Sequence, residues 1–405
     1  MSVFNIQHEE FTCQRDGLRI NGTMFKPKGA GPFPFVIVSH EFMMNRITTV
    51  HLAYSYAKMG FAAFCYDFNG GGTISQSEGK TTDMSVATEV ADLKAVIAYA
   101  KEQPYTDNDK LYLHGCSQGG FVSALVAAEL GAEEVKRLIL FYPALSIPDD
   151  ARKGQMIMAK FDPKNVPDLL FCGPIVLGKR YPEDVMDWDP MEMISKYHGP
   201  VLIVFGTKDH IVNYKYGVQA YEAYMKANEG ALARGEISEL PQVELETIQN
   251  GGHVFPFPPH RQDAVNTAKE FIMGRTEVMR VDVALTTMTF KLKGALLDWD
   301  IPFGGEALGR FFNGTVRDGA HDQRYYGIGT NDVTADYHID GKDCVGENAE
   351  VHVINKGVPG GWKPTVSTTS KALDFMNHTE AFARLRQRGL KGPLVRIFMD
   401  YDATK

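Results

Sequence analysis

The chain has 405 residues, a length suited to two or three domains, and its 44% apolar and 23% charged residues match a soluble globular protein. Its net charge of −8 argues against nucleic acid and against an anionic membrane surface as partners, because both select basic faces. The five cysteines (Cys13, Cys65, Cys116, Cys172, Cys344) are odd in number and lack CxxC spacing, which speaks against a disulfide framework and a zinc site. The start, MSVFNIQHEEF, has no basic or apolar leader region, and no apolar run approaches the roughly 20 residues of a membrane span. The expected location is the cytoplasm.

Residues 8–27 read as a hairpin turning at Asp16-Gly17. FPFVIVSH (33–40) is a short apolar run of the kind a buried parallel strand shows. A helical stretch follows at 48–59, then the strand FAAFCYDF (61–68), closed by Asn69-Gly70-Gly71-Gly72. Asp83 is placed to cap a helix from about 84 to 103, with apolar residues Val86, Val90, Leu93, Val96 and Ile97. KLYLHG (110–115) is a strand leading into Ser117, 118–130 is a helix, and RLILFYPA (137–144) is another strand. This repetition predicts an α/β fold with a mostly parallel sheet covered on both faces. The rhythm breaks over 146–196, a Pro-, Asp- and Met-rich insertion expected to cap the sheet and wall a pocket. It resumes with PVLIVFG (200–206), a helix near 215–227, VELETIQ (243–249) and a helix at 260–273. After Gly274 the pattern becomes short alternating runs with Gly and Asn turns and one helical stretch at 378–388. The organisation read from this is an α/β domain over 1–274 and a mostly-β, barrel-like or sandwich domain over 276–405. Within the latter, His338 and His352 are candidates either to face a barrel interior as ligands or to be satisfied by neighbours.

Gly115-Cys116-Ser117-Gln118-Gly119 has the pattern G-x-S-x-G between a predicted strand and a predicted helix. That context suits a sharp turn that lifts a serine hydroxyl above the sheet and aims helix N–H groups at it. A serine at its normal pKa needs a base, and the base needs an orienting carboxylate, in the chain order Ser, acid, His. Asp209 follows strand 200–205 directly and is preferred over Asp187 and Asp189, which follow no strand. His253, in Asn250-Gly251-Gly252-His253, is preferred over His210 and His260. The predicted triad is therefore Ser117, Asp209 and His253. An oxyanion needs two N–H donors, assigned to Gln118 and to Phe42 in the loop after strand 33–39. His40 in that loop reads as a structural residue bonding the loop backbone.

Taken together, the HEF loop, the GCSQGG elbow, the GTKD acid and the GGH loop resemble the bacterial cinnamoyl and feruloyl esterases, over about residues 5–273. The resemblance implies an α/β-hydrolase that cleaves hydroxycinnamate esters. It extends to the insertion, where Asp150 and Tyr181 match the family's cap residues that bind the substrate's phenol hydroxyl. Three departures stand out: Glu41 replaces a Gly, Cys116 replaces a His, and Met156, Ile157 and Met158 fill a stretch that is usually more polar. Met156 and Met158 imply a greasier acyl pocket. The alternative reading is a carboxylesterase, deacetylase or peptidase-like serine hydrolase acting on aliphatic acyl groups. No cofactor and no metal are expected, and the expected partner is a small ester. FFNGTVRDG, TADYHID and VHVINKG resemble an all-β family of unknown function with lipocalin-like barrels. That implies a stabilising or homodimer-forming appendage.

Overall fold

The opening hairpin pairs β1 (Ile6–Arg15) with β2 (Leu18–Pro27) across Asp16, whose φ of 51° sits in the left-handed region that the turn demands. There follow β3 (Phe33–Ser39), α1 (Val50–Ala57), β4 (Ala62–Tyr66), α2 (Val86–Lys101), β5 (Thr106–Cys116), α3 (Gln118–Leu130) and β6 (Val135–Phe141). The insertion comprises α4 (Ile147–Arg152), β7 (Gln155–Met156), β8 (Ala159–Lys160), β9 (Leu169–Cys172), β10 (Ile175–Gly178), α5 (Arg180–Glu183) and α6 (Pro190–Ile194). The chain then returns through β11 (Val201–Gly206), α7 (Lys215–Ala233), β12 (Val243–Ile248) and α8 (Pro258–Ile272). This computed structural model describes residues 5–72, 74–286, 289–293, 296–327, 330–358, 361–386 and 392–400.

These strands form an eight-stranded sheet in the order β1-β2-β4-β3-β5-β6-β11-β12. β1 and β2 are antiparallel to their neighbours, and β4, β3, β5, β6, β11 and β12 run parallel. Every residue of β4 and β11 is buried, as the unbroken apolar runs require when both faces are covered. Parallel strands carry their outgoing loops on one edge. The turns after β3, β5, β11 and β12 therefore share that edge, and they hold Phe42, Ser117, Asp209 and His253.

Two helices differ from the expectation. α2 begins at Val86, and its cap is Ser85, not Asp83. Ser85 is extended (φ −157°), and its side chain and that of Thr88 satisfy each other's backbone N–H groups. The stretch at 48–59 splits into a 3-10 turn over Arg46–Thr48 and α1.

The chain divides into two units, Met1–Ala268 and Lys269–Lys405, at a point within α8 and ahead of Gly274. The second unit holds β13 (Thr276–Leu285), β14 (Thr289–Lys293), β15 (Leu296–Leu308), β16 (Phe312–Val316), β17 (His321–Gly327) and β18 (Thr330–Asp343). It continues with β19 (Asn348–Val358), β20 (Gly361–Thr368), β21 (Ala381–Arg386) and β22 (Leu394–Met399). Eight of these strands close a barrel, β13-β22-β21-β20-β19-β18-β16-β15, with β15 returning to β13. Its core includes Val281, Phe312, Ile339, Val351 and Ile397. The helix expected at 378–388 is absent from the described residues: 381–386 is strand β21, in register with β22 from Ala381↔Met399 to Arg386↔Leu394. Sheet pairing there overrides the helix preference of Ala, Leu and Arg. Positions 387 and 388 lie outside the described residues. Among the described residues no helix is long and apolar enough to cross a membrane.

Candidate active site

Ser117 sits between the end of β5 and the start of α3 with φ 52° and ψ −116°, a conformation that costs an ordinary residue about 1–3 kcal/mol. The neighbourhood enforces it. The Ser117 N–H is held by the Phe141 carbonyl at 2.9 Å, and a Cβ on Gly119 would lie 2.4 Å from the His40 carbonyl oxygen. Only glycine lets α3 approach the oxyanion loop this closely.

The three side chains meet in one line. The Ser117 Oγ is 3.0 Å from His253 Nε2, and His253 Nδ1 is 2.7 Å from Asp209 Oδ2. An ionised carboxylate only accepts, so Nδ1 carries the imidazole proton and Nε2 is left to accept from the serine hydroxyl. The Asp209 side chain is fully buried, and its other oxygen accepts the Ile211 and Val212 N–H groups, each at 2.9 Å. The acid and histidine loops are bound together. The Lys208 N–H donates to the Gly251 carbonyl at 2.8 Å and the Asn250 N–H to Thr207 Oγ1 at 2.8 Å. A Cβ on Gly206 would lie 2.2 Å from the Gly251 carbonyl, so this approach also needs glycine.

The other candidates lie elsewhere. Asp189 caps α6 through the Met191 and Glu192 N–H groups, and Asp187 lines a separate groove. His210 is exposed, and His260 stacks edge-on against Phe257. Cys116, beside the nucleophile, is buried, and burial holds its thiol well above the ordinary value, so it stays protonated.

The Phe42 and Gln118 backbone N–H groups have no acceptor among the described residues. His40 positions the first of these. Its Nδ1–H donates to the Glu41 carbonyl at 2.7 Å and its Nε2 accepts the Phe68 N–H at 3.2 Å. Burial keeps this imidazole neutral. Glu41 has a fixed place as well. It accepts the Thr48 hydroxyl at 2.8 Å and the Tyr142 hydroxyl at 3.1 Å, and the Tyr142 ring lies 4.7 Å from the His253 ring.

Three comparisons bear on this geometry. Residues 31–197 match the family described as serine aminopeptidase, S33. Est1E from Butyrivibrio proteoclasticus, solved with ferulic acid bound, is 28% identical with a TM-score of 0.56, over 65% of this chain and 98% of that one. The N-terminal unit has the α/β-hydrolase fold. Among curated relatives, the chain is 22% identical to the uncharacterized peptidase YtmA of Bacillus subtilis, over 50% of this chain and 73% of that protein. It is 23% identical to the acylamino-acid-releasing enzyme of Rattus norvegicus, of which it spans 26%.

The insertion reaches the turn at Ser117. Tyr181 is 2% exposed, its hydroxyl donates to Gln118 Oε1, and its ring lies 5.7 Å from that of Phe42. The same Gln118 donates through Nε2 to Glu89 at 2.7 Å. Glu89 is buried on α2, and burial, then the nearby Asp92, raises its carboxyl well above the usual range. Asp150 accepts the Ser146 hydroxyl at 2.8 Å, and burial raises its carboxyl too. Met156 is buried while Met158 is 64% exposed. A groove of about 590 Å³ lined by Asp149, Arg152, Trp188, Tyr216 and Lys226 among others contains none of Ser117, Asp209 and His253.

Glu89 and Tyr142 were not singled out from the sequence. A signal for Glu89 exists: Ser85, Glu89, Asp92 and Val96 follow helical spacing and are all buried, whereas Val90, read as core, is only half-buried.

Proposed function

We propose that this protein is a serine esterase that hydrolyses carboxylic esters through an acyl-enzyme, with Ser117 as nucleophile, His253 as base and Asp209 as its orienting acid. The observation that carries the reading is the unbroken hydrogen-bonded line from Ser117 through His253 to Asp209. In the first step His253 takes the serine proton as Oγ attacks the ester carbonyl, and the Phe42 and Gln118 N–H groups receive the oxyanion. His253 then gives its proton to the departing alcohol. A water deprotonated by the same imidazole releases the acid and restores the serine.

For substrate class, the proposed reading is an aromatic, hydroxycinnamate-type acyl group. The likeness to Est1E supports it, and so do Phe42 and Tyr181, whose rings lie side by side next to the elbow. Because the Tyr181 hydroxyl already serves Gln118, Asp150 is the group proposed to meet a phenol hydroxyl. A second reading, acyl-aminoacyl substrates, draws on the peptidase-named relatives. The two separate in a panel of methyl ferulate, short p-nitrophenyl esters and aminoacyl amides. The first reading expects methyl ferulate to have the highest kcat/KM, and a preference for aminoacyl amides would overturn it.

A further inference from the structure

His338 and His352 face outward. Their neighbours Tyr337, Ile339, Val351 and Val353 fill the barrel core, and strand alternation puts the two imidazoles on the opposite face. The two histidines are direct cross-strand partners on β18 and β19, and their rings stack with centroids 4.0 Å apart and planes 2° from parallel. Asp336, two residues earlier on β18, shares that face, and its carboxylate accepts the His352 Nε2–H at 2.7 Å. One ligand atom from each of Asp336, His338 and His352 lies within 4.8 Å of the other two.

The surroundings are those of a prepared ligand set. Glu350 accepts the His338 Nδ1–H, which fixes that ring's tautomer and leaves its Nε2 lone pair exposed. Arg317 in turn holds Glu350 at 3.0 Å and pairs with Asp340. A carboxylate behind a histidine ligand is the arrangement that orients imidazoles in metal sites. With neutral histidines, Asp336, Asp340 and Glu350 against Arg317 leave the patch negative, which favours a cation.

We propose that Asp336, His338 and His352 form a binding site for a divalent transition-metal ion of the Zn²⁺ type, with Glu350 as the residue that positions His338. Two imidazoles and one carboxylate suit Zn²⁺, Cu²⁺ or Ni²⁺ and suit Mg²⁺ poorly, since Mg²⁺ demands oxygen ligands. Three protein ligands leave at least one coordination position to solvent or to a small anion. For the metal to take His352 Nε2, the proton of the neutral ring moves to Nδ1, and the hydrogen bond to Asp336 gives way to coordination of both groups. Lone pairs lie in the ring planes, so a shared ion tilts the two rings out of their parallel stack.

The test is calorimetric titration of metal-stripped full-length protein with ZnCl₂, with ring nitrogen shifts of the histidines read by NMR. The expected result is a one-equivalent binding step that shifts His338 and His352, is lost in His338→Ala/His352→Ala, and is not competed by Mg²⁺. Glu350→Gln should weaken it by roughly 10-fold or more, and His378→Ala, an exposed histidine of the same unit, should leave it intact. Circular dichroism and Tm of each metal-free variant establish that the barrel stays folded. Absence of a Zn²⁺ step below the millimolar range, or an unchanged step in the folded double variant, would overturn the site.

Discussion

The two units hold their polar side chains on different kinds of backbone. In the α/β-hydrolase unit the reactive groups sit on turns at one edge of a parallel sheet, and residues as far apart as 117 and 253 meet because every parallel strand empties its loop there. In the barrel, Asp336, His338 and His352 sit in mid-strand and meet because antiparallel register sets β18 against β19. The first arrangement can be inferred from where strands end. The second depends on register, which the order of residues does not display.

The comparison implies that single changes at the sheet edge remove chemistry and leave the fold, whereas changes inside the elements remove the fold. Ser117→Ala should lower kcat/KM by on the order of 10⁴-fold or more with little change in Tm, measured with an ester substrate and by thermal melting. Asp209→Asn should cost about 10³–10⁴-fold in kcat, since the amide lets the imidazole take the wrong tautomer. A stability loss without an activity loss in either variant would break the contrast.

Interior changes act on folding. Arg46, buried in the 3-10 turn ahead of α1, donates to Asp67 at 2.7 Å, and Asp67 is itself 1% exposed. Arg46→Ala leaves that carboxylate with only the Arg46 and Gln76 backbone N–H groups, and should cost about 3–5 kcal/mol in denaturant unfolding. In the barrel, Ile339→Ala at a fully buried position should cost about 2–5 kcal/mol.

The smallest effect is a dependence on pH. Glu89 titrates above its ordinary value of 4.5 in the fold, so the native state holds a proton that the unfolded state has lost. Its contribution is therefore complete below about pH 4.5 and fades as pH rises through the folded value. Glu89→Gln keeps an acceptor for Gln118 and should flatten the fall of Tm above pH 4.5. Asp92, raised to about 6, and Asp150, also raised by burial, contribute to the slope that remains. An unchanged slope in Glu89→Gln would show that the buried link to Gln118 is not protonated.

What the sequence made legible follows the same division. Ser117, Asp209 and His253 could be named because each lies within a few residues of the end of a recognisable strand, at the point where the run meets Gly, Asp or Asn. Arg46 and Tyr142 mark no strand end, so nothing local points to them, and Glu89 leaves only its helical spacing with Ser85, Asp92 and Val96 as a signal. Glu41 departs from the resembled pattern, and its anchoring by Thr48 and Tyr142 shows only once β3 and β6 are set in the sheet. The false helix at 378–388 has a similar origin: AFARLR carries helical preference, and only its pairing with β22 makes it a strand.

The central claim is that the Ser117 hydroxyl is activated by the imidazole at 253. Its most direct test is peptide-mapping mass spectrometry after exposure to a fluorophosphonate. A single adduct on Ser117, lost when His253 is replaced by alanine, is the predicted outcome. A turning-over enzyme that carries its label on another residue, or labels Ser117 equally well without His253, would contradict it.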